Sequence, residues 1–139
     1  MKSLIVFLMI WINAETGYNT ALPVPTVKMV SEQTLVEMYY GNSKPDSEVH
    51  ALYDTKSETI YVKDTFNVYN VWDKGILLHE LLHYVHDKNN VVGTKFRCLA
   101  QTEAEIYPLQ KKYLLEVHGV KWNYDPMYLK VISSCDNRR

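Results

Sequence analysis

The spacing of hydrophobic and polar positions in the first third of the chain predicts a strand, a helix and a loop. Residues 26–30 are β-prone and predict a first short strand. Apolar residues then recur at helical spacing from Leu35, and Ser31 and Gly41 supply the start and stop signals of a helix between them. Residues 42–47 are polar and contain a proline, which predicts a loop.

A β-hairpin is predicted in the middle of the chain. Residues 49–53 and 59–62 are two short β-prone runs. The sequence between them, DTKSE, favours a turn. We expect this hairpin to build a small sheet that packs on the helix that follows it.

Three helices are predicted after the hairpin. The first runs through ILLHELLHYVH, is capped by Asn70 or Asp73, and ends near residues 87–90. The second spans about residues 99–118, and a short third helix spans about residues 125–133. The order of strand, helix, hairpin and helices predicts an α+β fold with a small antiparallel sheet.

The N-terminal residues have the layout of a secretory signal peptide. Lys2 gives a positive start, residues 4–12 form an unbroken apolar run, and Ala14 offers a small residue for cleavage. The run is shorter than the roughly 20 residues that a helix needs to span a bilayer. We predict a signal peptide over residues 1–14, with Ala21 as the alternative cleavage site. A buried N-terminal helix and an uncleaved anchor are the other interpretations.

Composition sets the domain count and excludes one class of partner. The chain has 139 residues, 47% of them apolar and 22% charged, which fits one folded domain, placed at residues 25–135. The net charge of −1 gives no sign of a nucleic-acid binder. A cleaved signal implies export to the periplasm or the medium, with no membrane association after cleavage.

The helix predicted after the hairpin carries the candidate chemistry. Residues His79 to His83 read HELLH, an HExxH motif, and residues four apart on a helix can direct both imidazoles at one ion. Glu80 is placed to take a proton from a metal-bound water. The motif predicts a Zn²⁺ site with His79 and His83 as ligands and Glu80 as the catalytic base. The structural alternative is a pair of core histidines on an amphipathic helix.

A catalytic zinc needs a third protein ligand, and Glu103 and Glu105 on the next helix are the candidates. With Leu99 as the origin, Glu103 falls at about 40°, inside the apolar stripe. Glu105 falls at about 240°, near Lys112 on the solvent side. Because a buried carboxylate needs a compensating charge, we predict Glu103 as the ligand, with the condition that Pro108 does not kink the helix out of phase.

One further histidine shares the face of the motif. His86 follows His83 by one turn, but on a straight helix it lies about 10 Å along the axis from His79. Three ligands spread over that distance cannot converge on one tetrahedral ion. We therefore expect His86 to line the cleft or to be exposed.

Two cysteines, Cys98 and Cys135, are present. In an exported protein such a pair predicts a disulfide, which would tie the segment after the HExxH helix to the C-terminal tail. The bridge would stabilise the fold by about 3 kcal/mol. In a cytosolic protein the two thiols would stay free.

The motifs resemble those of zinc peptidases of the gluzincin type, in which a glutamate on a second helix follows HExxH. More narrowly, the chain is similar to an uncharacterised family of small exported bacterial HExxH proteins. The shared elements are ALYD and TIYV of the hairpin, Cys98, Glu103, Tyr107, Gln110 and Cys135. The similarity covers about residues 25–135 and departs at Ile106, where alanine is usual. It implies a zincin-like domain with Glu103 as the third metal ligand.

Together these features predict a zinc metallopeptidase that acts on a peptide or protein substrate. Glu80 would move the proton, and the edge of the hairpin would bind an extended substrate. Tyr107, Tyr53 and Tyr61 are the candidates for the oxyanion donor. The alternative is a non-catalytic, exported zinc-binding domain that grips a protein partner. A metal-storage protein fits less well, because no tract rich in histidine or cysteine is present.

Overall fold

The computed structural model describes residues 1–42 and 48–136. Its helices and strands, in chain order, are α1 (Lys2–Thr16), β1 (Thr26–Val30), α2 (Glu32–Tyr40), β2 (Ala51–Asp54), β3 (Thr59–Lys63), α3 (Val71–Lys88), α4 (Glu103–His118) and α5 (Pro126–Ile132). These elements confirm the predicted α+β class. The loop predicted at residues 42–47 lies outside the described residues from residue 43 onward.

The described strands form one sheet in the order β1-β3-β2. β2 and β3 make the predicted antiparallel hairpin, with Asp54 opposite Thr59. β1 joins β3 in parallel, with Thr26 opposite Thr59, so the sheet is mixed rather than entirely antiparallel as predicted. A parallel pair needs a crossover connection of about a dozen residues or more, and the chain through α2 provides it.

α3 carries the HExxH motif through the centre of the core. Asn70 caps its start, where its side chain accepts a hydrogen bond from the Asp73 amide at 3.0 Å. Asp73, the alternative cap, instead accepts one from the Asn67 amide. The fully buried apolar residues of α3 are Leu77, Leu78, Leu81, Leu82 and Val85. Close packing of these side chains fixes the rotation of the helix and therefore the direction of the motif.

α4 packs along α3 and begins at Glu103. A 3-10 turn at Ala100–Thr102 precedes it, so Leu99 lies outside α4 and is 59% exposed rather than part of the apolar stripe. The helix continues past Pro108 to its end. Its buried residues are Ile106, Gln110, Tyr113 and Leu114. Glu103 lies three residues before the first of them, which places it on the same stripe.

α1 lies in the core. Its buried side chains, which belong to the main hydrophobic cluster, are Ile5, Leu8, Met9 and Ile12. Trp11 meets the Tyr113 ring edge-on, with centroids 5.5 Å apart, and Glu15 pairs with Lys112 of α4 at 2.7 Å. This arrangement corresponds to the buried N-terminal helix, one of the alternatives left open by the sequence. The signal peptide over residues 1–14 stays a prediction.

The length and hydropathy of the helices bear on membrane association. Among the described residues, no helix combines the length and apolar character that a membrane crossing requires.

Substitutions in α1 distinguish a structural helix from a signal peptide. If α1 stays part of the folded chain, Leu8→Ala should lower the free energy of unfolding by about 2–5 kcal/mol, because it opens a cavity in the core. Ile10→Ala, at a position that is 63% exposed, is the matched control. It should change that free energy by less than about 0.5 kcal/mol. Urea unfolding and intact mass of protein purified from an exporting host measure both effects. A mature chain that starts after Ala14, with equal stability in both variants, would support the signal peptide instead.

A disulfide joins Cys98, before α4, to Cys135, after α5, as predicted. The two Cα atoms are 5.8 Å apart, and no described cysteine is free. The bridge ties the end of α5 to the segment that leads into Glu103. It also fits an exported protein, because cytosolic thiols are kept reduced.

Removal of the disulfide should destabilise the protein while its helices and strands stay the same. Replacement of both Cys98 and Cys135 by serine should lower the free energy of unfolding by about 2–4 kcal/mol, because the cross-link restricts the unfolded chain. Urea unfolding of the oxidised protein, the reduced protein and the double variant measures the effect. The reduced protein should match the double variant. Thiol titration that finds two free thiols in exported protein would contradict the bridge.

Candidate metal centre

The two histidines of the HExxH motif lie side by side on α3. His79 and His83 are one helical turn apart, and their ring centroids are separated by 5.2 Å. Their side chains are mostly buried, with 15% and 16% of the surface exposed. Both imidazoles present Nε2 to the first residue of α4, which is Glu103.

Glu103 completes the group. Its Oε1 atom lies 3.1 Å from Nε2 of His79 and 3.4 Å from Nε2 of His83. Neither contact has the geometry of a hydrogen bond, so this buried oxygen has no hydrogen-bond partner. The ligating atoms of the three side chains all lie within 4.8 Å of one another. Within the described ranges, this is the one group of three or more such side chains that is close enough to hold a metal ion.

The donor set fits zinc. Zn²⁺ is commonly bound by imidazole nitrogens and carboxylate oxygens, and three protein ligands leave a fourth tetrahedral position open. A buried carboxylate oxygen without a hydrogen bond is destabilising, and a cation at this point would offset that cost. The structure brings together the three side chains that the sequence named as ligands. That they bind zinc stays a prediction.

The charges of the group act strongly on one another. Burial alone would lower the pKa of His79, but the nearby carboxylates of Glu103 and Glu80 raise it to about 9. Burial alone would raise the pKa of Glu103, but the two imidazoles hold it well below its usual range. The metal-free group therefore carries a carboxylate beside a protonated imidazole at neutral pH. Zinc binding would release that proton, because histidine coordinates metal in its neutral form.

Glu80 is buried beside the first ligand. It follows His79 on α3, and 8% of its surface is exposed. It does not belong to the converging group of His79, His83 and Glu103. The carboxylate of Glu80 contributes to the raised pKa of His79, so it acts on the first candidate ligand without belonging to the ligand group.

Aromatic side chains cover one side of the group. The ring of Tyr107, one turn after Glu103, meets His79 edge-on with the centroids 5.5 Å apart. Trp122 stacks on Tyr107 at 5.5 Å, and Tyr124 meets the same ring edge-on at 5.4 Å. This layer therefore packs against the His79 side of the group.

Two of the three tyrosines considered as oxyanion donors are engaged elsewhere. Tyr53 donates a hydrogen bond to Asp87 near the end of α3, at 2.6 Å. Tyr61 packs on the smaller hydrophobic cluster beside α2. Tyr107 is the one of the three in ring contact with His79. Burial raises the pKa of Tyr107, with smaller effects from nearby charges, so its hydroxyl is a neutral donor at physiological pH.

Gln110 is a contact to which the sequence reasoning assigned no function. Its side-chain Oε1 lies 2.8 Å from Nδ1 of His79, on the ring edge away from Glu103. Gln110 is a polar residue buried among the largely apolar side chains of the α4 stripe. A polar residue within that stripe was the signal that could have drawn attention to it.

Comparison with known proteins places the chain in a family without assigning an activity. A family described as a domain of unknown function, DUF6647, matches residues 1–139. The chain belongs to this family. No curated protein and no solved structure matches the chain. The match agrees with the resemblance to an uncharacterised family, but it shows no peptidase family. In this DUF6647 protein the geometry of the site is therefore the main indication of function.

Glu105 and His86 form a second group, separate from the candidate metal centre. Nε2 of His86 lies 2.7 Å from Oε1 of Glu105, and His86 is 1% exposed. Tyr18 donates to the same oxygen at 2.8 Å, and Lys95 contacts the other oxygen at 2.8 Å. The predictions that Glu105 faces solvent near Lys112 and that His86 lines the cleft or is exposed are wrong.

The error has a tertiary cause. Helical phase describes α4 alone, whereas the segments after α1 and α3 fold over its first turn and partly cover Glu105. Burial alone would raise the pKa of Glu105, but the hydrogen bonds that it accepts lower the pKa to about 2. Tyr18 belongs to this cover. Signal cleavage after Ala14 would leave Tyr18 in the mature chain, whereas cleavage after Ala21 would remove it.

The two glutamates of this DUF6647 protein give a direct test of the ligand assignment. Glu103→Gln should reduce bound zinc from about one ion per chain to near zero, because it removes one of the three ligands. Glu105→Gln is the matched control. It should keep zinc and lower thermal stability, because it weakens the hydrogen bond with His86 and the ion pair with Lys95. Metal analysis after dialysis, together with thermal melts, measures both. Loss of zinc in Glu105→Gln but not in Glu103→Gln would reverse the assignment.

Proposed function

We propose that the protein is an exported zinc-dependent hydrolase that cleaves peptide bonds. The observation that carries the proposal is the convergence of His79, His83 and a buried oxygen of Glu103 that has no hydrogen-bond partner, with Glu80 next to the first ligand in the sequence. A structural zinc site is usually closed by a fourth protein ligand and has no need of Glu80. Three ligands with a neighbouring carboxylate are the arrangement expected of a hydrolytic site.

Each part of the reaction has a candidate residue. Zinc, when bound, would supply a Lewis acid that lowers the pKa of a water towards 7 and polarises the scissile carbonyl. Glu80 would take a proton from the attacking water and pass it to the amine nitrogen as the peptide C–N bond breaks. Glu80 follows His79 directly on α3, and its carboxylate contributes to the raised pKa of that imidazole. The neutral hydroxyl of Tyr107 is the candidate donor to the oxygen that gains negative charge.

An extended substrate has a sheet edge available for binding. β3 is the central strand, and β2 pairs with it along one edge. Among the described strands, none pairs with the other edge of β2, so its backbone groups can accept an added strand. We propose that a peptide or protein substrate binds there in extended form.

The disulfide supports export as part of the proposal. Cys98 and Cys135 are bonded, and structural disulfides occur mainly in oxidising compartments. The signal-like start with cleavage after Ala14 gives a route to the periplasm or the medium. The substrates proposed here are therefore peptides or proteins outside the cytosol.

Glu80→Gln separates catalysis from metal binding. The variant should lose peptide hydrolysis by about 10²–10⁴-fold, because the amide keeps the shape of the side chain but cannot accept the proton. Zinc content and melting temperature should stay close to those of wild type. Glu116→Gln, at an exposed position of α4, is the matched control and should retain full activity. The measurements are zinc stoichiometry, thermal melts and digestion of a broad peptide library.

Two results would contradict the proposal in different ways. Equal cleavage by Glu80→Gln and wild type would exclude Glu80 as the base. Zinc binding by wild type without cleavage of any library peptide would favour the alternative, a non-catalytic zinc-binding domain that grips a protein partner. His83→Ala should lose zinc under either function and so serves as the metal-free reference.

A further inference from the structure

We propose that Gln110 is a positioning residue, which fixes the ring orientation and the tautomer of His79 for metal binding. The inference rests on the zinc site of the proposed function. It starts from one contact, the 2.8 Å approach of Gln110 Oε1 to Nδ1 of His79. The other ring nitrogen, Nε2, faces Glu103 at 3.1 Å. The two residues therefore contact opposite edges of the same imidazole.

The position of the proton on the imidazole ring determines which nitrogen binds the metal and which donates a hydrogen bond. A metal-binding histidine offers the lone pair of one nitrogen and carries its proton on the other. Since Nε2 of His79 faces the other two ligands, its Nδ1 carries the proton and donates it to the amide oxygen of Gln110. An amide oxygen is an acceptor and carries no proton, so it selects this tautomer.

Helical spacing explains how one helix reaches both edges of the ring. Gln110 follows Glu103 by seven residues, which is close to two full turns, so the two side chains lie on the same face of α4. Both can then reach α3 from the same side. Gln110 is 8% exposed, so water competes little for the hydrogen bond with His79.

Gly75 provides the close approach that this hydrogen bond requires. It lies on α3 one turn before His79, and a Cβ atom there would be 3.1 Å from Cδ2 of Leu114 and 3.5 Å from Nε2 of Gln110. An alanine at position 75 would crowd Leu114 and would come into ordinary van der Waals contact with Gln110. Glycine in the interior of a helix is destabilising relative to alanine. The close packing of α3 against α4 explains why a glycine stands at this position.

The experiment compares two substitutions that differ in one acceptor. Gln110→Met removes the oxygen while keeping an unbranched side chain of similar length. Zinc affinity, measured by competition with a chelator, should weaken by about 10–100-fold, as is typical when an outer partner of a ligand is lost. Gln110→Glu keeps an oxygen acceptor at the same place and should retain zinc affinity within about threefold of wild type. Circular dichroism and melting of the metal-free proteins report whether each variant folds.

A second measurement needs no variant. Nitrogen NMR of the zinc-loaded wild-type protein should show His79 protonated at Nδ1, and protonation at Nε2 would overturn the proposal. Equal zinc affinity of Gln110→Met and wild type would overturn it while leaving the proposed function intact. Equal weakening in Gln110→Met and Gln110→Glu would assign Gln110 to packing and would also overturn it. A wild-type protein that takes up no zinc would instead refute the metal site, and this proposal with it.

Discussion

A carboxylate buried between two helices has to be balanced by a cation or by hydrogen bonds, and Glu103 depends for this on the imidazoles across the α3–α4 contact. The Glu103 carboxylate reaches both imidazoles only when α4 lies at the right distance from α3 and in the right rotation about its own axis. Gly75 lets the two helix backbones approach, and Gln110 holds the far edge of His79. The sheet also packs on α3, and α1 does so in the uncleaved chain.

The features that could be predicted from the sequence are those encoded within one element. HELLH places both imidazoles on one face because residues four apart share it. The caps of α2 at Ser31 and Gly41 and the hairpin follow from local backbone preferences. The placement of Glu103 also succeeded, although the reference residue Leu99 lies outside α4. The stripe that contains Ile106 has the same phase as Glu103, and the 3-10 turn lies before both.

The features that escaped prediction depend on which elements meet. Periodicity shows that a helix has two faces, but it does not show what covers each of them. The contacts of Glu105 with Tyr18 and Lys95, and the parallel pairing of β1, join segments that are distant in the chain. The N-terminal helix shows the same ambiguity. An apolar run near Leu8 satisfies the needs of a core helix and of a signal peptide equally well.

The second glutamate of α4 has a consequence for how the three candidate ligands are held. Glu105 contacts His86, while Glu103, two residues earlier, contacts His79 and His83. The pair with His86 needs no ion, so it keeps α4 in register on α3 in the empty protein. The chain then loses the conformational entropy of bringing the three ligands together when it folds, and not when it binds a metal. Zinc fingers behave in the opposite way, because they fold only around their ion. Under the proposed function, the chain would be a preformed chelator that could exchange zinc with its surroundings while its fold stays intact.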